Sequence, residues 1–152
     1  MSITTRQTII LEGDVGEGIE EYVAAENNII PGMLLQINVD GEVVTNNDAV
    51  KRSEVLIALE DDFIGMTIDG VKPDTTDLGY MIGDRVRCKH FRRGEVALMI
   101  LVSGQNADAS EYLTSDATGK VQVAGATDYR MFKTKDAVDA TAGDKRVAAE
   151  VM

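Results

Sequence analysis

The chain has one cysteine, one histidine, two prolines and no tryptophan, and only 5% of its residues are aromatic. Each scarcity removes a class of protein. A lone Cys88 cannot close an intramolecular disulfide, so a disulfide-stapled secreted fold is excluded. A single histidine, His90, cannot furnish a histidine-rich metal centre. So few aromatics leave little from which to build a base-stacking platform or an aromatic-lined ligand groove. Long apolar runs are also missing. The longest, Val96 to Val102, is seven residues, against about 20 needed to cross a bilayer as a helix. The N-terminal Met1-Ser2-Ile3-Thr4-Thr5-Arg6 shows no charged region leading into an apolar one, so no signal peptide is expected. These features predict a soluble protein made in a reducing cytoplasm.

Basic residues are the other deficit. Against 26 Asp and Glu stand 15 Lys and Arg, giving a net charge of −11, and the pI is near 4.4. Nucleic acid and anionic membranes attract cations, so neither is expected as a partner. What remains is ordinary for a globular chain: 152 residues, 44% hydrophobic and 27% charged, enough for one domain with a core of its own.

Helical periodicity is scarce, whereas short β-prone segments recur between Gly and Asp turn signals, as in sandwiches and barrels. Strands are predicted at Thr8–Glu12, Ile19–Ala24, Met33–Val39, Glu42–Thr45, Val55–Leu59, Arg85–His90, Glu95–Val102, Tyr112–Thr114, Lys120–Ala124, Tyr129–Thr134 and Arg146–Val151. Asp40-Gly41 signals a two-residue hairpin, with Arg93-Gly94 and Ala117-Thr118-Gly119 as further hairpin turns. The run Val96–Val102 lacks alternation, as in a strand buried on both faces. A buried helix competes, but the flanking Gly94 and Gly104 favour the strand. The stretches Pro31–Val44 and Ser110–Val121 echo one another, and two such hairpins suit opposed positions in one small barrel. Residues 1–28, acidic and glycine-bearing, suit an N-terminal arm. Residues 29–152 form the β-rich domain, with a long loop at 61–84 of the kind that serves function or contacts a partner.

No chemical constellation survives inspection. Asp116-Ala117-Thr118-Gly119-Lys120 ends like a phosphate loop, but Thr114 and Val121 stand where that motif needs Gly and Ser or Thr. Gly13 to Gly18 reverses the dinucleotide spacing and is acidic. Around Asp40-Gly41 a calcium loop fails at Gln36 and Asn47, and Glu60-Asp61-Asp62 reads as a solvated turn. Cys88 and His90 share a strand face but lack an orienting third group. No catalytic residue, metal ligand or cofactor is therefore expected.

A basic cluster is more informative. Arg85, Arg87, Lys89, Arg92 and Arg93 lie within nine positions, and the first three alternate with Val86 and Cys88, giving one cationic and one apolar strand face. Two readings stand: a solvated face paired with the protein's own carboxylates, or a contact patch for an acidic surface. The acidic counterpart is the N-terminal segment, with Glu12, Asp14, Glu17, Glu20 and Glu21 as candidate contact residues.

One further pattern is the order of the turn and strand signals. Ile30-Pro31-Gly32-Met33-Leu34-Leu35, Asp40-Gly41-Glu42-Val43-Val44, Ala58-Leu59-Glu60-Asp61-Asp62, Tyr80-Met81-Ile82-Gly83-Asp84-Arg85-Val86 and Gly104-Gln105-Asn106 come in sequence. Tyr112 to Val121 and Ala137 to Val147 follow. This succession, from about residue 20 to the end, resembles the head-decoration, or capsid cement, proteins of tailed bacteriophages. The resemblance implies a small mainly-β fold, barrel-like or β-clip-like (β-tulip), with an extended arm and little helix. It further implies a virion protein on the outer capsid surface, made in the bacterial host cytoplasm. Its partners would be the major capsid protein and itself, as a trimer at threefold and local threefold positions. The competing readings are a virion-surface adhesion or glycan-binding module and a small β-fold enzyme, such as a hydrolase with a carboxylate-bound metal.

Overall fold

The computed structural model describes residues 9–12, 18–47, 55–60 and 79–152. Among these every regular element is a strand, as the alternating segments and turn residues predict. Five strands close a barrel: β7 (Val96–Leu101), β10 (Val121–Val123), β9 (Tyr112–Ser115), β11 (Phe132–Thr134) and β13 (Lys145–Val151), which returns to β7. The longest seam is β13 on β7, antiparallel from Lys145↔Leu101 to Glu150↔Val96. The opposite edge of β7 is shared. Its far end pairs in parallel with β10 at Val121↔Leu101, and its near end pairs with β1 (Ile10–Glu12) at Ile10↔Ala97.

A second sheet has the order β2 (Ile19–Val23), β6 (Arg85–His90), β5 (Leu56–Ala58), β3 (Leu34–Ile37), β4 (Val43–Thr45). Its two edges meet through the parallel bridge Ala24↔Val43, where Ala25 N donates to Val43 O at 3.0 Å. This sheet is rolled too. The short pair β8 (Asn106–Ala107) and β12 (Val138–Asp139) was not predicted, because its residues carry little β-branched or alternating signal.

Two apolar cores follow from this arrangement. The first, inside the barrel and at its flank, includes Met99, Leu101, Leu113, Val121, Phe132 and Val147. The second, inside the rolled sheet, includes Leu35, Val43, Leu56, Tyr80, Val86 and Cys88. Strand alternation distributes side chains between them. Leu34 and Ile57 join the first core, whereas Leu35, Leu56 and Ala58 join the second. On β7, Ala97, Met99 and Leu101 face the first and Ile100 the second. That is why the run lacks alternation: both faces are covered, and it is a strand rather than a helix.

The turns behave unequally. Asp40-Gly41 does make a hairpin, but Asn38 N donates to Glu42 O at 2.8 Å, so the loop has three residues, with Gly41 at φ +79° closing it. The β9–β10 hairpin forms about Ala117-Thr118-Gly119. Arg93-Gly94 is a tight turn but no hairpin, because β6 and β7 lie in different sheets. Nor do the two echoed hairpins oppose one another in one barrel. One belongs to each sheet, and they touch: Leu34 N donates to Gly119 O at 2.8 Å, and Ser115 Oγ to Asn46 Oδ1 at 2.8 Å. A Cβ on Gly119 would lie 2.9 Å from Thr45 Cγ2, so this docking requires glycine. Gly32 is tighter still: a Cβ there would lie 2.6 Å from Leu98 O, beside the Arg146 guanidinium that reaches Pro31 O.

Where it is described, the N-terminal segment packs against the β-rich domain. Ile9 and Ile10 are buried in the first core, and residues 19–24 form one side of the second sheet. Buried Ile9 and Ile10, with Ile19 packed against the first core and Tyr22 against the second, tie both pieces down. Residues 1–8, 13–17 and 61–78, the last being most of the predicted long loop, lie outside the described residues.

Candidate docking surface

The acidic and basic segments are brought together in one ladder. β2 and β6 pair antiparallel with Glu21 opposite Arg87 and Glu20 opposite Cys88. Arg85 Nη1 lies 3.7 Å from Glu21, and His90 Nε2 lies 3.7 Å from Glu20. The Tyr22 hydroxyl also donates to Glu20. The Arg85–Glu21 pair is exposed and worth about 0–1 kcal/mol. Part of the cationic strand is thus answered by the chain's own carboxylates.

The cationic face of β6 is open only at its start, because exposure falls along it. Arg85 has 78% of its side chain exposed, Arg87 is half-buried and Lys89 retains 1%. At Lys89 the strand passes over the first core. Its Nζ sits 5.2 Å from the Phe91 ring centroid and 3.2 Å from a Glu95 carboxylate oxygen. Glu95 also accepts from Arg92 N at 2.7 Å, pinning the turn that carries Arg92 and Arg93 outward. Lys89 is therefore a core residue and no part of an open surface. Of the acidic candidates, Glu12 is exposed at the end of β1, Glu20 and Glu21 are exposed on β2, and Asp14 and Glu17 lie outside the described residues.

Beyond Arg93 the structure gathers residues that sequence separation hides. A pocket of about 180 Å³ opens between the β6–β7 turn, the segment before β11 and the end of β13. Phe91, Met131 and Val151, all nearly buried, form its base, and Arg93, Tyr129 and Arg130 its exposed rim. The Arg130 guanidinium stacks 4.4 Å from the Tyr112 ring, with Lys133 Nζ 6.0 Å from the same ring. No local motif marks Arg130 or Tyr129; barrel closure alone brings them to Arg93.

Among the described residues, the other motifs are engaged by the chain's own groups. Burial, with Glu20 and Glu21 adding to it, pushes the Cys88 thiol up to about 12, and its S–H points at Glu20 O, 3.5 Å away. That thiol is no nucleophile at neutral pH. In the Gly119-Lys120 loop, Asp116 accepts from Thr118 N at 2.8 Å and Lys120 N at 3.2 Å, filling with a carboxylate the place a phosphate would need. Lys120 reaches Asp144 at 2.7 Å, a hydrogen bond that holds the Asp144 carboxyl below its ordinary range. Glu60 is buried and accepts from Ile9 N at 3.3 Å, while Asp61 and Asp62 lie outside the described residues. Among the described residues no three His, Cys, Asp or Glu side chains are grouped to hold a metal.

No family model and no curated protein matches the sequence. Among solved structures, the chain is similar to the N base of the head fiber gp8.5 of bacteriophage phi29. The two share 11% identity and a TM-score of 0.48, over 88% of this chain and 92% of that one.

Proposed function

We propose that this chain is a structural protein of a tailed-bacteriophage head, bound to the outer surface of the expanded capsid. There it bridges major capsid protein subunits, as a homotrimer at threefold and local threefold positions. The observation that carries this reading is the ordered succession of turn and strand motifs resembling the capsid cement proteins. Those motifs fall on the joints of the fold: Pro31-Gly32 under Arg146, the Asp40-Gly41 hairpin, and the Thr118-Gly119 tip docked on β3. A body of short strands locked by such joints resists deformation, which suits a protein that must brace a shell.

The surface supports the same role. Arg92 and Arg93 are presented on a pinned, exposed turn in an otherwise acidic chain, where they suit an acidic neighbour. Electron cryomicroscopy of the phage head tests the proposal. Density fitting this chain on the outer shell, over capsomer junctions, is the expected result. Its absence from the outer shell of an occupied head contradicts it.

A further inference from the structure

The pocket behind Arg93 has a property that points to its occupant. Its base is apolar, its volume of about 180 Å³ suits one aliphatic side chain, and two guanidiniums, Arg93 and Arg130, stand on its rim. Neither guanidinium pairs with a carboxylate among the described residues. An aliphatic group flanked by carboxylates is the chemistry such a site complements.

The chain presents that chemistry on the β3–β4 hairpin. Val39 is fully exposed at its tip, Asp40 is exposed beside it and Glu42 follows. Asn38 Oδ1 accepts from both Asp40 N and Glu42 N at 3.0 Å, so the loop is preformed with its backbone donors satisfied. Neither carboxylate has a partner among the described residues. A preformed loop gives up little entropy on docking.

We propose that a second copy of this chain seats Val39 in the pocket, with Asp40 and Glu42 against Arg93 and Arg130. The chain's net charge of −11 opposes unselective approach between copies, and a cationic rim is where an acidic tip is drawn. Each copy carries one tip and one pocket, so the contact either closes, as a reciprocal dimer or a larger ring, or grows into a filament. The contact concerns the protein alone and holds whether or not the protein binds capsids.

Sedimentation velocity on the full chain, at low and high salt, tests this. Wild type associates at low salt and less at high salt. The variants R93E/R130E and D40R/E42R, each checked for folding by circular dichroism, lose affinity by about tenfold or more. Mixing the two variants restores association, since each reversed rim then meets a reversed tip. Val39→Asp, with the charges on the rim intact, weakens association as well. A wild type that stays monomeric at millimolar concentration and low salt overturns the proposal. So do folded variants that associate like wild type, or a mixture that fails to associate. If R93E/R130E self-associates normally but no longer binds capsids, the pocket belongs to a capsid segment and the proposal is overturned.

Discussion

A lysine with 1% of its side chain exposed must have its charge answered inside the protein, and Lys89 has Glu95 at 3.2 Å and the face of Phe91 beneath it. Removing one partner of a buried pair strands the other, at a cost of about 3–5 kcal/mol. We expect Lys89→Ala to lower stability by that amount in urea unfolding. The double variant K89M/E95Q, which leaves no lone charge, should lose markedly less. Cys88 gives a pH-dependent case. Burial raises its thiol from the ordinary 9.0 to about 12, so the folded state holds the proton where the unfolded chain releases it. The resulting stability is complete below pH 9.0 and is lost progressively as the pH rises toward about 12. The difference in stability between wild type and Cys88→Ala should therefore fall by about 1.4 kcal/mol per pH unit above that point. A difference that is flat with pH would place the thiol in water. Alternation identified Val86 and Cys88 as the apolar face of β6 correctly. It misread Lys89, because the cover over that residue comes from Phe91 and Glu95 beyond the strand's end, which alternation within the strand does not announce.

At the scale of elements, local chemistry set most strands and the two true hairpins. The unalternating Val96–Val102 run and the Asp40-Gly41 and Thr118-Gly119 turns carried their own signals. The turn at Arg93-Gly94 carried the same signal yet is a corner between sheets, since a tight turn dictates reversal and not which strand the chain then joins. The same gap explains the N-terminal segment. Acid and glycine suggested an arm, but Ile9 and Ile10 lie in the first core and Ile9 O accepts from Leu98 N at 2.8 Å. Deleting residues 1–12 therefore removes two buried isoleucines and uncovers one edge of β7. At about 1.5–3 kcal/mol for each side chain, the loss is about 3–6 kcal/mol. That is a large share of the roughly 5–15 kcal/mol typical of a domain. Urea unfolding of the truncated chain should show that loss; an unchanged midpoint would restore the arm.

For the whole molecule, charge segregation is the governing feature. A net −11 repels other copies and DNA alike, while the β6–β7 turn and Arg130 form a cationic spot assembled by folding. Arg92 and Arg93 were legible in the sequence; Arg130, Tyr129 and the pocket between them were not, because only barrel closure places them side by side. Most of the loop expected at 61–84 lies outside the described residues. The central proposal is that this surface serves the exterior of an expanded shell. The most direct measurement is cosedimentation of the purified protein with expanded and unexpanded phage capsids, counting copies bound at saturation. The account predicts saturable binding to expanded capsids, little to unexpanded ones, and weaker binding for R92E/R93E. Binding to neither form would contradict it.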